Sequence, residues 1–163
     1  MKLKLLILLI LIAAPSSVAA QEKKFIGYRH KGVTYGEMLP NGVKDLGGGL
    51  LADENYGVTR FSKNGKFMLW LEKLTSRDKQ GIPSWEVKDV LIFDKPKKNR
   101  EFLFSYSSGC LQNDQLNLDL IVLAERQPKT KSYKIVRVWK ANTVRGRFEK
   151  TSAKGIKCTE TES

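Results

Sequence analysis

Beyond residue 20 the apolar side chains come in short runs of four to eight, rich in Val, Ile, Phe, Tyr and Trp and broken by Gly, Pro and Asn. That punctuation belongs to strands, and no window sustains the three-and-four spacing of an amphipathic helix. The clearest hairpin is GVTRFSKNGKFMLWLEKL, residues 57–74, where Asn64-Gly65 can take the positive φ values of a type I′ turn between two apolar strands. A second strand pair follows, from FMLWLEKL through the polar loop TSRDKQGIP into SWEVKDVLIFD. EFLFSY (101–106), LDLIVLAER (118–126), the stretch KTKSYKIVRVWKANTVRGRFEK (129–150), a first strand near KFIGYRH and a short last one at RFEK bring the expectation to about eight strands. The pattern predicts an all-β, mostly antiparallel fold: a sandwich or a barrel-like sheet, or propeller-like units. GGGLLADENYG (47–57) is the one region read as a short helix or a long loop.

LWLEKL…SWEVKDV (69–90) and IVLAER…SYKIVRVW (121–139) echo one another: an apolar run, Glu followed by a base, a polar loop, then aromatic-x-aliphatic. Two propeller-like hairpin units would produce this echo. So would any two antiparallel hairpins obeying the same alternation, and that simpler reading is favoured.

The first twenty residues follow another pattern. Lys2 and Lys4 precede an apolar run from Leu5 to Ala14, Pro15-Ser16-Ser17 break it, and Val18-Ala19-Ala20 supplies small residues for cleavage. This is the layout of a secretory signal peptide with Gln21 as the new terminus. The run falls short of the roughly 20 residues a spanning helix needs. The expected organisation is a signal peptide over 1–20 and one β-rich domain over 21–163. The protein is then exported, to the periplasm or beyond the cell, and not membrane-spanning. Two cysteines, Cys110 and Cys158, in an oxidising compartment read as one disulfide rather than a reactive thiol.

Charge narrows the partner. The formal net charge is +12, and loss of Lys2 and Lys4 leaves +10. Such a protein is drawn to anionic surfaces such as phospholipid headgroups, envelope polymers or nucleic acid. The basic stretch KTKSYKIVRVWKANTVRGRFEK (129–150) tests the last of these. Strict alternation puts Tyr133, Ile135, Arg137, Trp139 and Ala141 on one face of a strand, and Ser132, Lys134, Val136, Val138 and Lys140 on the other. Both faces are half apolar, which suits a covered strand better than a platform for stacking bases, provided no bulge reorders it. Lys134, Lys140, Arg145 and Arg147 are left as a candidate anion-binding rim. KPKKNR (95–100) reads as a solvated charged loop.

Candidate chemistry is sparse. His30 is the single histidine, with no G-x-S-x-G elbow to present a serine beside it, and reads as a solvent-facing residue at a strand end. One histidine and two paired cysteines do not make a zinc site. QNDQLNLD (112–119) spaces oxygen ligands by two, but lacks the glycine and terminal glutamate of a calcium loop and reads as an Asx-rich turn. LGGGL (46–50) matches no nucleotide fingerprint. No catalytic residue, metal or cofactor is nominated.

WLEKLTSRDKQGIPSWEVKDVL (70–91), the Gly-Cys at 109–110 and VWKANTVRGRFEKTSAKGIKC (138–158) carry a further pattern: Leu-Glu-Lys, a polar turn, Trp-x-Val-x-Asp-Val, then Trp-basic-Ala leading to Gly-Ile-x-Cys. It resembles a group of small exported bacterial proteins of unknown function. The resemblance covers about two thirds of the chain after residue 20, omits 21–60, and carries no assigned chemistry. It implies one exported β-rich domain closed by Cys110 and Cys158.

The expectation is therefore an exported binding or envelope accessory protein engaging an anionic envelope component, with an inhibitor or partner of another exported protein as a further reading. The alternative is a hydrolase acting on an envelope polymer through His30 or carboxylates brought together by folding. That alternative requires a concave pocket gathering two or more of these groups.

Overall fold

The computed structural model describes residues 24–32, 39–104, 110–127, 130 and 132–159. The proposed signal segment, the end of EFLFSY, Gly109, Lys129 and Lys131 lie outside the described residues. The chain is all-β and antiparallel, with twelve strands among the described residues: β1 Arg29–Lys31, β2 Lys44–Leu50, β3 Tyr56–Lys63, β4 Lys66–Arg77, β5 Pro83–Asp94, β6 Arg100–Phe104, β7 Cys110–Gln112, β8 Gln115–Leu116, β9 Leu120–Gln127, β10 Ser132–Asn142, β11 Arg147–Thr151 and β12 Ile156–Cys158. Among these residues no helix is long and apolar enough to cross a membrane.

The strands form three sheets, ordered β1-β5-β4-β3-β2, β11-β10-β9-β6 and β12-β7-β8. The Asn64-Gly65 turn has the expected positive φ at both residues, 49° and 75°, and sets the β3–β4 register from Lys63 opposite Lys66 to Tyr56 opposite Lys73. Four strands went unseen in the sequence. β2 is KDLGGGL, so the glycine run read as loop or helix is an edge strand with a bulge between Asp45 and Gly48. The other three, β7, β8 and β12, have three residues or fewer, too short for alternation to register. The polar QNDQ turn joins β7 to β8 through positive φ at Asn113 and Asp114, the Asx turn expected there.

β4 alternates from Phe67 to Glu72. Phe67, Leu69 and Leu71 face the four-stranded sheet, where with Tyr56 and Val58 they meet Phe102, Phe104, Ile121, Trp139, Ala141 and Phe148. Met68 and Trp70 face the other way, into a separate core with Phe25, Phe61, Val87 and Val90. This second face is concave. His30 on β1 approaches Phe61 on β3 with ring centroids 6.5 Å apart. In a flat sheet those strands are three spacings, about 14 Å, apart. The sheet therefore curls into a half-barrel, and the whole reads as a sandwich with one barrel-like wall.

The third core lies on the far side of the four-stranded sheet, where Leu103, Val122 and Val138 pack on the Cys110–Cys158 disulfide. The two cysteines stand opposite each other in the β7–β12 register. Closing a loop with a sequence separation of 48 is worth about 4 kcal/mol in the chain-entropy account.

One expected face is wrong. The β9–β10 register shifts between Ile135 and Arg137, so Val136 is bulged. Tyr133 and Ile135 turn toward the disulfide core, while Trp139 and Ala141 stay in the core between the sheets. The extra residue of the bulge inverts the alternation. The conclusion that Trp139 is a covered core anchor holds. The two echoing hairpins, β4–β5 and β9–β10, lie in different sheets and each contains a bulge.

Candidate functional site

Towards the Gly57–Glu72 end of the half-barrel, the concave face changes character. The aromatic filling stops, and glycines take over on neighbouring strands: Gly48 and Gly49 on β2, Gly57 on β3, and Gly32 just after β1. Their missing side chains open a cleft of about 490 Å³, walled on the other side by Ile82, Pro83 and Trp85. Gly48 has no alternative. A Cβ there would lie 2.5 Å from the Val58 carbonyl oxygen and 2.7 Å from the Thr59 Cα, closer than non-bonded atoms come.

Glu72 and Thr59 line this cleft. Alternation on β4 puts Glu72 on the face of Met68 and Trp70, so a carboxylate continues an otherwise apolar stripe. It is satisfied by distant partners. His30 Nε2 lies 2.6 Å from Glu72 Oε1, and the Thr59 hydroxyl donates to Oε2 at 2.6 Å. His30 Nδ1 lies 3.1 Å from the Lys31 carbonyl oxygen and donates to it. The His30 side chain is fully buried and that of Glu72 is 3% exposed.

This overturns the reading of His30 as a solvent-facing strand-end residue. It stands across from Trp85 in the β1–β5 register, on the concave side, among the rings of Tyr28, Phe61 and Trp70. Both ring nitrogens face oxygen acceptors, the pattern suited to a protonated imidazole. Burial alone pulls its pKa down. The Glu72 hydrogen bond and charge, helped by the Lys31 carbonyl and Asp45, outweigh burial and hold it above the ordinary 6.5. The cleft floor thus carries a carboxylate paired with a buried imidazole behind it. Desolvating such a pair is expensive, and only close partners on every polar atom make it tolerable.

The four rim candidates do not form one surface. Arg145 and Arg147 both bond to Glu149 Oε1, at 3.1 and 3.0 Å. Lys134 stands opposite Glu125, and Lys140 opposite Glu149 on one side and Leu120 on the other. The bulge between them places the two lysines on different faces of β10. All four are exposed. The oxygen-rich 112–119 stretch is engaged within the chain: Asn117 Nδ2 donates to Gln112, Lys157 Nζ to Asp114, and the Ala52 amide to Asp119. Asp78 accepts from the Gln80 and Ile82 amides in its turn, beside the cleft wall.

The sequence did hold a signal for Glu72. On a strand with apolar residues on both faces, an acid in step with Met68 and Trp70 has to be either the end of the buried stretch or a paired internal group. No family model, curated protein or solved structure matches the chain.

Proposed function

We propose that the protein is an exported accessory of the cell envelope that works by binding, with the half-barrel cleft as its ligand site. The observation that carries this reading is the cleft itself: a hollow of about 490 Å³, in the range of small-ligand sites, with Trp85 and Pro83 as apolar walls and Glu72, Thr59 and Gln80 as polar points. Among the described residues its lining includes no lysine or arginine. The ligand group it accepts is therefore an uncharged, hydrogen-bonding one, and the positive charge of the chain serves to bring the protein to an anionic envelope. The Cys110–Cys158 disulfide agrees with an oxidising destination.

The hydrolase reading has one supporting feature, since the Glu72 carboxylate lining the cleft is backed by the buried His30 imidazole. Against it, both Glu72 oxygens are already held by the protein's own donors, and among the described residues Glu72 is the one carboxylate in the cleft lining, where glycoside hydrolysis ordinarily uses a pair.

Gly57→Leu tests the site, because a side chain there grows toward Trp85 from a Cβ already 3.8 Å away. Soluble envelope glycan fragments, neutral and anionic, should bind the wild type at physiological salt and quench Trp85 fluorescence. The variant, with its far-UV spectrum and disulfide intact, should lose the binding. Equal binding by both proteins, or binding by neither, rejects the cleft as the ligand site. Turnover of any fragment by the wild type but not by Glu72→Gln would favour the hydrolase instead.

A further inference from the structure

The other end of the same sheet carries a different surface. Lys44 begins β2, Lys63 and Lys66 flank the Asn64-Gly65 turn, and Lys95 follows β5. These four lysines surround a second hollow of about 390 Å³, floored by Phe67 and by Leu46, which is 43% exposed. Lys24 joins Lys63 and Lys66 around a smaller neighbouring hollow beside Phe25. Lys97 and Lys98 continue from Lys95 in the loop to β6. Among the described residues, Asp94 and Asp45 bring negative charge nearby. Asp94 bonds to Lys66, and Asp45 is engaged with the Gly47 amide. Among the described residues no ion pair holds Lys44, Lys63 or Lys95.

The arrangement is unfavourable to the fold alone. Lys63 and Lys66 stand directly opposite each other in the β3–β4 register, a placement in which like charges repel. Several cations elsewhere are paired with acids: Arg29 and Lys88 with Glu86, Arg100 with Glu125, Arg145 and Arg147 with Glu149. At this end four lysines gather around an apolar floor, and among the described residues only Lys66 has an acid paired with it, Asp94.

We propose that this end is a docking site for an anionic phospholipid surface, the lysines taking headgroup phosphates and the exposed Leu46 entering the acyl boundary. A cluster of lysines beside exposed apolar side chains is the combination that holds a protein at an anionic interface. A single-stranded nucleic acid would instead require exposed stacking aromatics among the cations. The proposal rests on the export and envelope reading above, and adds to it the surface by which the protein is held while the cleft faces away.

The test uses flotation with vesicles of phosphatidylcholine alone or with phosphatidylglycerol, at 150 mM salt. The wild type should float with the anionic vesicles only. Lys44→Gln/Lys63→Gln/Lys95→Gln should weaken that binding at least about tenfold, whereas Lys134→Gln/Lys140→Gln/Lys150→Gln, with the same net charge, should weaken it no more than about threefold. Leu46→Ser should weaken vesicle binding while leaving retention by soluble polyphosphate unchanged. Equal losses in the two triple variants would show attraction by net charge alone and overturn the site. Parallel loss of polyphosphate and vesicle binding in Leu46→Ser would show a phosphate site without membrane insertion, and likewise overturn the proposal. Gly57→Leu should float like the wild type, which separates failure of the docking site from failure of the cleft.

Discussion

The two ends of the five-stranded sheet differ in where they keep charge. From Lys66 to Leu74 along β4 is eight residues, roughly 26 Å at about 3.3 Å each. At the Glu72 end one carboxylate and one imidazole are buried, and each polar atom is matched within the chain. At the Lys66 end lysines stand exposed around an open hollow, most of them without an acid to neutralise them. The first arrangement demands fixed geometry and returns shape. The second tolerates motion of long side chains and returns a field that reaches about 8–10 Å into solution at ordinary salt. A protein can afford the second kind widely, the first only where a site needs it.

Removing Glu72 should therefore be the most damaging change. Glu72→Ala leaves the His30 imidazole and the Thr59 hydroxyl buried without their partner, and breaking a buried pair in this way costs about 3–5 kcal/mol. Urea denaturation should show that loss, while Lys44→Gln and Lys95→Gln, at the opposite end, stay within about 0.5 kcal/mol of the wild type. Comparable losses at both ends would contradict the distinction between them.

An intermediate effect is expected from pH, and its sign follows from His30. Its folded pKa lies above the ordinary 6.5, so the stabilisation from the pair is fully present below that value and is lost as pH rises through the folded pKa. Three half-buried carboxylates act in the opposite direction. Asp78 is lowered although burial opposes it, by the Ile82 and Gln80 amides and Lys31. Lys88 and Arg29 lower Glu86, and Asn142, Arg147 and Arg145 lower Glu149. Their contributions are present above the ordinary values of 3.8 and 4.5 and are lost as pH falls through the lower folded ones. Unfolding midpoints should be highest between pH 4.5 and 6.5 and decline on the alkaline side. In His30→Gln the alkaline decline should vanish and the acid one remain. An unchanged alkaline limb in that variant would locate the titration elsewhere.

What could be read from the sequence follows the range of the interactions. The 57–74 hairpin was legible because Asn64-Gly65 and the alternation around it are local. β2 was not, because three successive glycines carry no face and only its pairing with β3 makes it a strand. The bulge at Val136 left no mark in the composition, yet it moved Tyr133 and Ile135 to the opposite face. His30 was misjudged for the same reason: its partner lies 42 residues away, and curling of the sheet brings them together. Cys110 and Cys158 were legible at any distance, since two cysteines have one pairing. The cleft is made by glycines on three separate segments, and absence of side chains is what a pattern of side chains shows least. The lysine end suffered the same fate, with KPKKNR passing for a solvated loop until the fold set it beside Lys44, Lys63 and Lys66.

The smallest effect is the salt response, and it separates the ends most cleanly. Like charges opposed across a strand pair are unfavourable by roughly 0.2–1 kcal/mol, and salt screens exposed charges while barely reaching buried ones. Raising salt from low to moderate ionic strength should therefore stabilise the wild type by a few tenths of a kcal/mol, as repulsion among Lys44, Lys63, Lys66 and Lys95 is relieved. Chloride salts are the proper choice, since sulfate strengthens folding by exclusion from the surface. The Lys44→Gln/Lys63→Gln/Lys95→Gln variant should lose most of this increment, and Glu72→Gln should keep it, because the group it alters lies beyond the reach of the ions. If the increment persists in the triple variant, the repulsion is spread over the whole basic surface. The lysine end would then be no more than its local share of the net charge, and the case for a dedicated docking site would go with it.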